Sequence, residues 1–259
     1  MKYLNQHCPP NPTLEYAESI DLSMYDEIHS IGGGSTIDVG KWLAKKYNLK
    51  HTVTPTTAGT GSEVTKFCVL NVHGKKTTFT DDKFIPDSYI LDPTLVVSLP
   101  ELHTLSSGLD ALSQALEAHW SKNGTRESAR YAETAAKLVQ QNLKECLSHP
   151  DNLKARMNML IAANFSGRAI NITKTNVCHA ISYPLTDEYG IPHGIACAES
   201  LKFFAKKFGY TETAQFLSTI ELPYYDYNKE RVADMVITNP KLLDCKEEIT
   251  REDIINSLT

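Results

Sequence analysis

The chain changes texture at Leu99-Pro100, and no fold built from one kind of layer accommodates both sides of that change. Residues before it alternate short β-rich runs with Gly/Thr-rich turns and one good helix. Residues after it form long Ala/Leu/Glu/Lys-rich segments with helical spacing and no clear strand. The first pattern is that of βα units on a largely parallel sheet. EIHSI reads as a strand, GGGS as a tight loop and TIDVGKWLAKKYN as the helix that follows. HTVTP is a second strand and TTAGTGSEVT a second Gly/Thr loop. TKFCVL and TTFT, joined by a turn at Lys75-Lys76, read as a hairpin, and SYILDP closes this half. The expected fold class is an α/β domain over residues 1–100 followed by an all-α domain over residues 101–259.

At 259 residues the chain is long enough for two such domains. A formal net charge of −5, with no basic run, argues against a nucleic-acid surface. No apolar run suffices to span a bilayer, and MKYLNQHCPPNP lacks the regions of a secretory signal. No membrane partner and a cytoplasmic location are therefore expected. Six cysteines (Cys8, Cys68, Cys146, Cys178, Cys197 and Cys245) are scattered without a CxxC pair, which predicts buried reduced thiols.

In the helical half, HAISYPLTDEYGIPHG carries His179 and His193, the second on a Pro-His-Gly turn. Upstream, GLDALSQALEA sets Asp110 and Gln114 one helical turn apart on the same face. Leu109, Leu112 and Leu116 form an apolar stripe, and Asp110, Gln114 and Glu117 a polar one on a different face. Alone, the polar stripe suits a solvated surface. With two imidazoles it becomes a mixed N/O donor set, Asp110, Gln114, His179 and His193, for Fe(II), Zn(II), Mn(II) or Co(II) rather than Ca(II). The remaining histidines have no partner spacing, and Cys178 and Cys197 read as small buried hydrophobes.

A strand running into Gly32, Gly33, Gly34 and Ser35 and then a helix can cradle an anion, because free N–H groups at a helix start point at it. Ser35, Thr36 and Asp38 stand where they cap the helix or contact a ligand. The pattern departs from GxGxxG, and no acidic residue follows at the dinucleotide spacing. The second loop offers hydroxyls at Thr56, Thr57, Thr60 and Ser62, which suit a pyrophosphate and ribose; a ligand-free Thr/Gly turn accounts for it equally well. Tyr183, four residues after His179, is either a phenol that passes a proton beside the metal or a packing aromatic.

The ordered series GGGSTIDVGK, TPTTAGTGSEVT, Lys76, ILDPTLVVSLP, GLDALSQALEA, HAISYPL and GIPHG resembles the iron-containing (group III) alcohol dehydrogenases, from about Asn11 to about Ala198. That family shares its fold with dehydroquinate synthase and glycerol dehydrogenase. The resemblance implies an α/β dinucleotide-binding domain and an all-helical domain, with a divalent metal, Fe(II) or Zn(II), and NAD(H) or NADP(H) meeting in the cleft between them. It implies that the two loops hold the cofactor phosphates and nicotinamide ribose, that Lys76 lies beside the cofactor, and that Asp110, Gln114, His179 and His193 hold the metal. The implied activity is interconversion of a small alcohol and aldehyde, with Tyr183 or water supplying the proton, in a homodimer.

SYPLT followed by GIPHG looks most like reductases of phosphonoacetaldehyde, and Lys174 or Arg168, shortly before His179, would hold the anionic end. Three departures accompany the resemblance. Gln114 stands where most members have a histidine ligand, and Tyr183 where many have a histidine. The start near NPTLEY implies that the first strand-helix-strand unit of the nucleotide domain is missing. Two rival readings follow: a cyclase or lyase of the dehydroquinate synthase type, and a truncated, non-catalytic remnant that binds metal but no dinucleotide.

Overall fold

The computed structural model describes residues 7–258. Thr13 caps α1 (Leu14–Ser19), which leads into β1 (Glu27–Gly32), α2 (Gly34–Tyr47) and β2 (Lys50–Pro55). β1 and β2 pair in parallel from Glu27↔Lys50 to Gly32↔Pro55. Asn48, at φ 53°, ends α2 in the left-handed conformation that asparagine tolerates and turns the chain back into β2.

The hairpin consists of β3 (Phe67–Val72) and β4 (Lys75–Thr80), antiparallel from Phe67↔Thr80 to Val72↔Lys75. Its turn is at His73-Gly74, with φ of 50° and 81°, two residues before the expected Lys75-Lys76. A two-residue hairpin loop needs positive φ at both central positions, and a residue followed by glycine supplies it where a lysine pair does not. Lys75 and Lys76 open β4 instead. The run SYILDP contributes only β5 (Ser88–Tyr89), parallel to β2, which completes a sheet of order β1-β2-β5. Asp92 then caps a 3₁₀ turn at Pro93–Val96, whose first proline suits a helical start and not a continuing strand.

From Glu101 the described chain is helical: α3 (Glu101–His119), α4 (Arg126–Ser148), α5 (Leu153–Thr173), α6 (Val177–Tyr189), α7 (His193–Lys207), α8 (Thr211–Leu217), α9 (Lys229–Val236) and α10 (Arg251–Ser257). Two hydrophobic cores result. One packs Ala17, Val39, Leu43, Leu70 and Phe84 between α1, α2 and the hairpin, while the larger is built on α3 to α7. Leu109, Leu112 and Leu116 are fully buried in the larger core, each contributing roughly 1.5–3 kcal/mol relative to exposure. Asp110, Gln114 and Glu117, on the other face of α3, are buried as well, so this stripe is not a solvated surface.

The Thr-rich loop joins the halves. Gly61, at φ 57°, lies so near α5 that a Cβ there would stand 2.4 Å from the Ala163 carbonyl oxygen. The Asn171 side chain accepts from the Lys66 amide at 2.8 Å, and Asn164 donates to Glu63 at 3.0 Å. No described helix is long and apolar enough to cross a membrane.

Candidate metal centre and its cleft

The site begins with a buried amide. Asn176 caps α6 through the Val177 N–H (2.8 Å), accepts from the Trp120 indole at 2.7 Å and donates to the Glu117 carbonyl at 3.0 Å. These bonds seat the start of α6 on the end of α3. Glu117 then grips His179 twice: Oε1 accepts from its backbone N–H at 3.0 Å, and Oε2 lies 2.5 Å from Nδ1. Neither Oε2 nor Nδ1 has another partner among the described residues. The ring is thereby fixed with Nε2 turned toward Asp110, whose Oδ1 is 3.3 Å away.

His193 arrives from the first residue of α7. That helix start abuts α3 so closely that a Cβ on Gly194 would stand 1.7 Å from the Ser106 carbonyl oxygen, so the glycine of the Pro-His-Gly turn is a steric necessity. The Gly194 N–H is held by Ser106 Oγ at 3.1 Å, and His193 Nε2 comes within 3.8 Å of Asp110 Oδ1. One turn along α7, Cys197 Sγ lies 3.9 Å from the same Nε2. Donor atoms of Asp110, His179, His193 and Cys197 all lie within 4.8 Å of one another.

The charges in this cluster support one another. Burial pushes the Asp110 carboxyl up, but the His179 hydrogen bond and the His193 charge outweigh it and hold it below its ordinary range. Burial disfavours protonated His179, yet the charges of Cys197 and Glu117 and the Asp110 bond raise its pKa well above 6.5. Burial likewise pushes the Cys197 thiol up, and the two imidazoles reverse this, bringing it from 9.0 to about 7. The residues fit a divalent ion: carboxylate and imidazole donors converge, and the second nitrogen of His179 is held by a carboxylate, as in histidine ligands of metal sites. Gln114 is turned differently. Its amide donates to Asp110 Oδ1 at 3.1 Å, and its carbonyl oxygen accepts from Ser166 at 2.9 Å.

A cavity of about 480 Å³ runs from this cluster to the start of α2. Asp110, Gln114, His179, Tyr183, His193 and Lys174 line it from the helical half, and Gly34, Ser35, Thr60 and Lys76 from the α/β half. α2 begins after Gly33 with no side-chain cap, which leaves its first N–H groups available to an anion. Gly32, Gly33, Thr56 and Thr57 do not line the cavity; the Thr57 side chain backs onto Gly33 and supports the loop from behind. Asp38 and Ser62 reach the cavity wall but bond each other at 2.7 Å, while Asp38 Oδ2 accepts from the Val69 N–H at 3.0 Å and anchors the hairpin to α2. Lys76, Thr78 and Thr80 present alternate positions of β4 to the cavity, and Lys76 pairs with Asp187 at 3.3 Å.

Lys174, the residue after α5, faces the cleft, and Arg168 does not. Arg168 sits on another face of α5, bonded to Asn164 and the Tyr89 hydroxyl, and lines a separate hollow of about 630 Å³. Sequence reasoning passed over Cys197, Lys241 and the role of Glu117. Cys197 stands four residues after His193, the spacing that singled out Asp110 and Gln114, and Glu117 continues the Asp110 stripe. Nothing local marks Lys241, which bonds Thr175 Oγ1 at 2.6 Å above the Tyr183 ring.

Comparison with known proteins decides the family. The profile of the C-terminal part of the Fe-containing alcohol dehydrogenase family matches residues 104–248, more than half the chain, and the iron-containing alcohol dehydrogenase profile matches residues 3–93. The chain belongs to the iron-containing alcohol dehydrogenase family. Among its relatives in this family, 1-propanol dehydrogenase of Citrobacter freundii is 37% identical over 181 residues, 67% of this chain and 49% of that protein. Phosphonoacetaldehyde reductase of Streptomyces viridochromogenes is 40% identical over 149 residues, 57% of this chain and 38% of that protein. The chain thus spans about half the length, or less, of these curated relatives. The crystal structure of sulfoacetaldehyde reductase from Bifidobacterium kashiwanohense, in complex with NAD+, superposes with a TM-score of 0.88 at 30% identity over 96% of this chain and 80% of that one.

Proposed function

We propose that this iron-type dehydrogenase is a metal-dependent, NAD(P)H-linked reductase of a small anionic aldehyde, with phosphonoacetaldehyde the first candidate. One observation carries the reading: a single cavity is lined both by an uncapped helix start and by the Asp110–His179–His193 cluster. When bound there, a divalent ion supplies Lewis-acid stabilisation of a carbonyl oxygen, and a reduced nicotinamide supplies hydride. The N–H groups at the start of α2 hold phosphate oxygens. Asp110, His179 and His193 hold the ion, and Glu117 is a positioning residue that fixes the His179 tautomer. Tyr183, one turn beyond His179 in the same cavity, holds a proton for the product oxygen. Lys174 binds the anionic end and so orients the carbonyl with contacts remote from the reacting carbon.

Metal-loaded protein supplied with NADH or NADPH tests this reading against phosphonoacetaldehyde and propanal. Turnover of both is expected, with the lower KM for the anionic aldehyde, lost to a chelator and restored by Zn(II) or Fe(II). Failure of the metal-loaded chain to oxidise either nicotinamide with any small aldehyde overturns it.

A further inference from the structure

Three of the four clustered donors belong to the set expected from sequence; the fourth is a cysteine. We propose that Cys197 is a thiolate ligand of the metal, taking the coordination place that Gln114 does not fill, and that the site is accordingly of the zinc type. This rests on the metal-dependent reading above. Cys197 and His193 lie one turn apart on α7, so the helix that presents His193 Nε2 to Asp110 also presents Sγ, 3.9 Å from that nitrogen and fully buried.

Gln114 is bound in the opposite sense from a ligand. Its amide N–H points at Asp110 Oδ1, and its oxygen is held away by Ser166. Exchanging the amide's two ends would set its oxygen against the Asp110 carboxylate, acceptor against acceptor, so the hydrogen bonds themselves assign this orientation. Gln114 therefore orients Asp110, and the donor facing the two imidazoles is sulfur. On metal binding the S–H bond breaks, a sulfur–metal bond forms and the proton leaves to solvent. A carboxylate, two imidazoles and one thiolate make a softer set than an N/O shell, which suits Zn(II).

Cobalt substitution reads the sulfur directly. Co(II)-loaded wild-type protein should show a near-ultraviolet thiolate-to-cobalt charge-transfer band. Cys197→Ser should lose the band while still binding cobalt, and Gln114→Ala should keep it. X-ray absorption of the Zn(II) wild-type protein needs no variant to fold, and one sulfur scatterer at about 2.3 Å is expected. A shell of nitrogen and oxygen alone, or a charge-transfer band that survives Cys197→Ser, overturns the cysteine assignment and leaves the reductase reading standing. A wild-type protein that binds neither ion overturns the metal-dependent reading and this inference together.

Discussion

The two sides of the cleft are built on different principles. On the helical side, buried charges each have an assigned partner: Glu117 holds His179, Gln114 braces Asp110, and Asn176 ties α6 to α3. On the side of the α/β half the lining includes the uncapped start of α2, hydroxyls of the hairpin and Lys76, which pairs with Asp187 of α6. A small doubly charged ion needs fixed donors at short range, whereas an extended polyanion can be held by backbone N–H groups and mobile cations. Substitutions of the clustered donors, and of the carboxylate that positions them, should accordingly have large effects on metal binding, and substitution of a side chain that only contacts substrate a modest effect on KM.

The largest effect is expected from His193→Ala. Wild-type protein should carry about one divalent ion per chain, and the variant should lose it on dialysis, because donors must converge to retain an ion. Full metal content in the variant by elemental analysis would break the contrast between the two sides.

Next is an effect of acid that belongs to the sheet side. Burial first, and then the charge of Lys41, lower the His51 pKa from 6.5 to about 4, with Nε2 held 2.8 Å from Ser30 Oγ. The folded state binds this proton less readily than the unfolded chain. The stabilisation is complete above pH 6.5 and is lost as pH falls toward 4, for a total of about 3 kcal/mol. Denaturant unfolding of metal-free protein at several pH values, followed at Trp42 in the smaller core and Trp120 in the larger, should show the loss. His51→Gln should flatten the slope in this range, and an unchanged slope would remove His51 from the account.

Glu117→Gln should weaken metal binding by about 10- to 100-fold, the usual effect of losing a partner that orients a histidine ligand. Competition with a chromophoric chelator measures it, and unaltered affinity would mean that the ring is held without this carboxylate. The smallest effect concerns Lys174→Ala, which should raise KM for an anionic aldehyde by roughly tenfold, the loss of one charge-assisted contact, and leave propanal nearly unchanged. Equal effects on both aldehydes would place the anion elsewhere in the cleft.

Two helical turns show how far local reading reaches. Asp110 and Gln114 on α3, and His193 and Cys197 on α7, have the same spacing, and periodicity correctly puts each pair on one face. Which member of a pair meets the other helix is not a local property. Gln114 is drawn to Ser166 on α5, while Cys197 is carried in beside His193. The same holds for Lys174 and Arg168, close in sequence yet facing different hollows because α5 ends at Thr173.

Periodicity, turn residues and glycine placement were enough to read the β1-α2-β2 unit, the change to helices after Pro100 and the loop before α2, since each depends on spacing along one element, whereas the grouping of Asp110, His179 and His193, which lie on three helices, rested on the motif series and the family it resembles. The tertiary structure alone decided that Cys197 joins the cluster, that Glu117 holds His179, that Asp38 anchors the hairpin and that Lys241 reaches Tyr183. Each of these depends on a distance between elements far apart in the chain, set by how the cores pack, and no periodicity within one element encodes it.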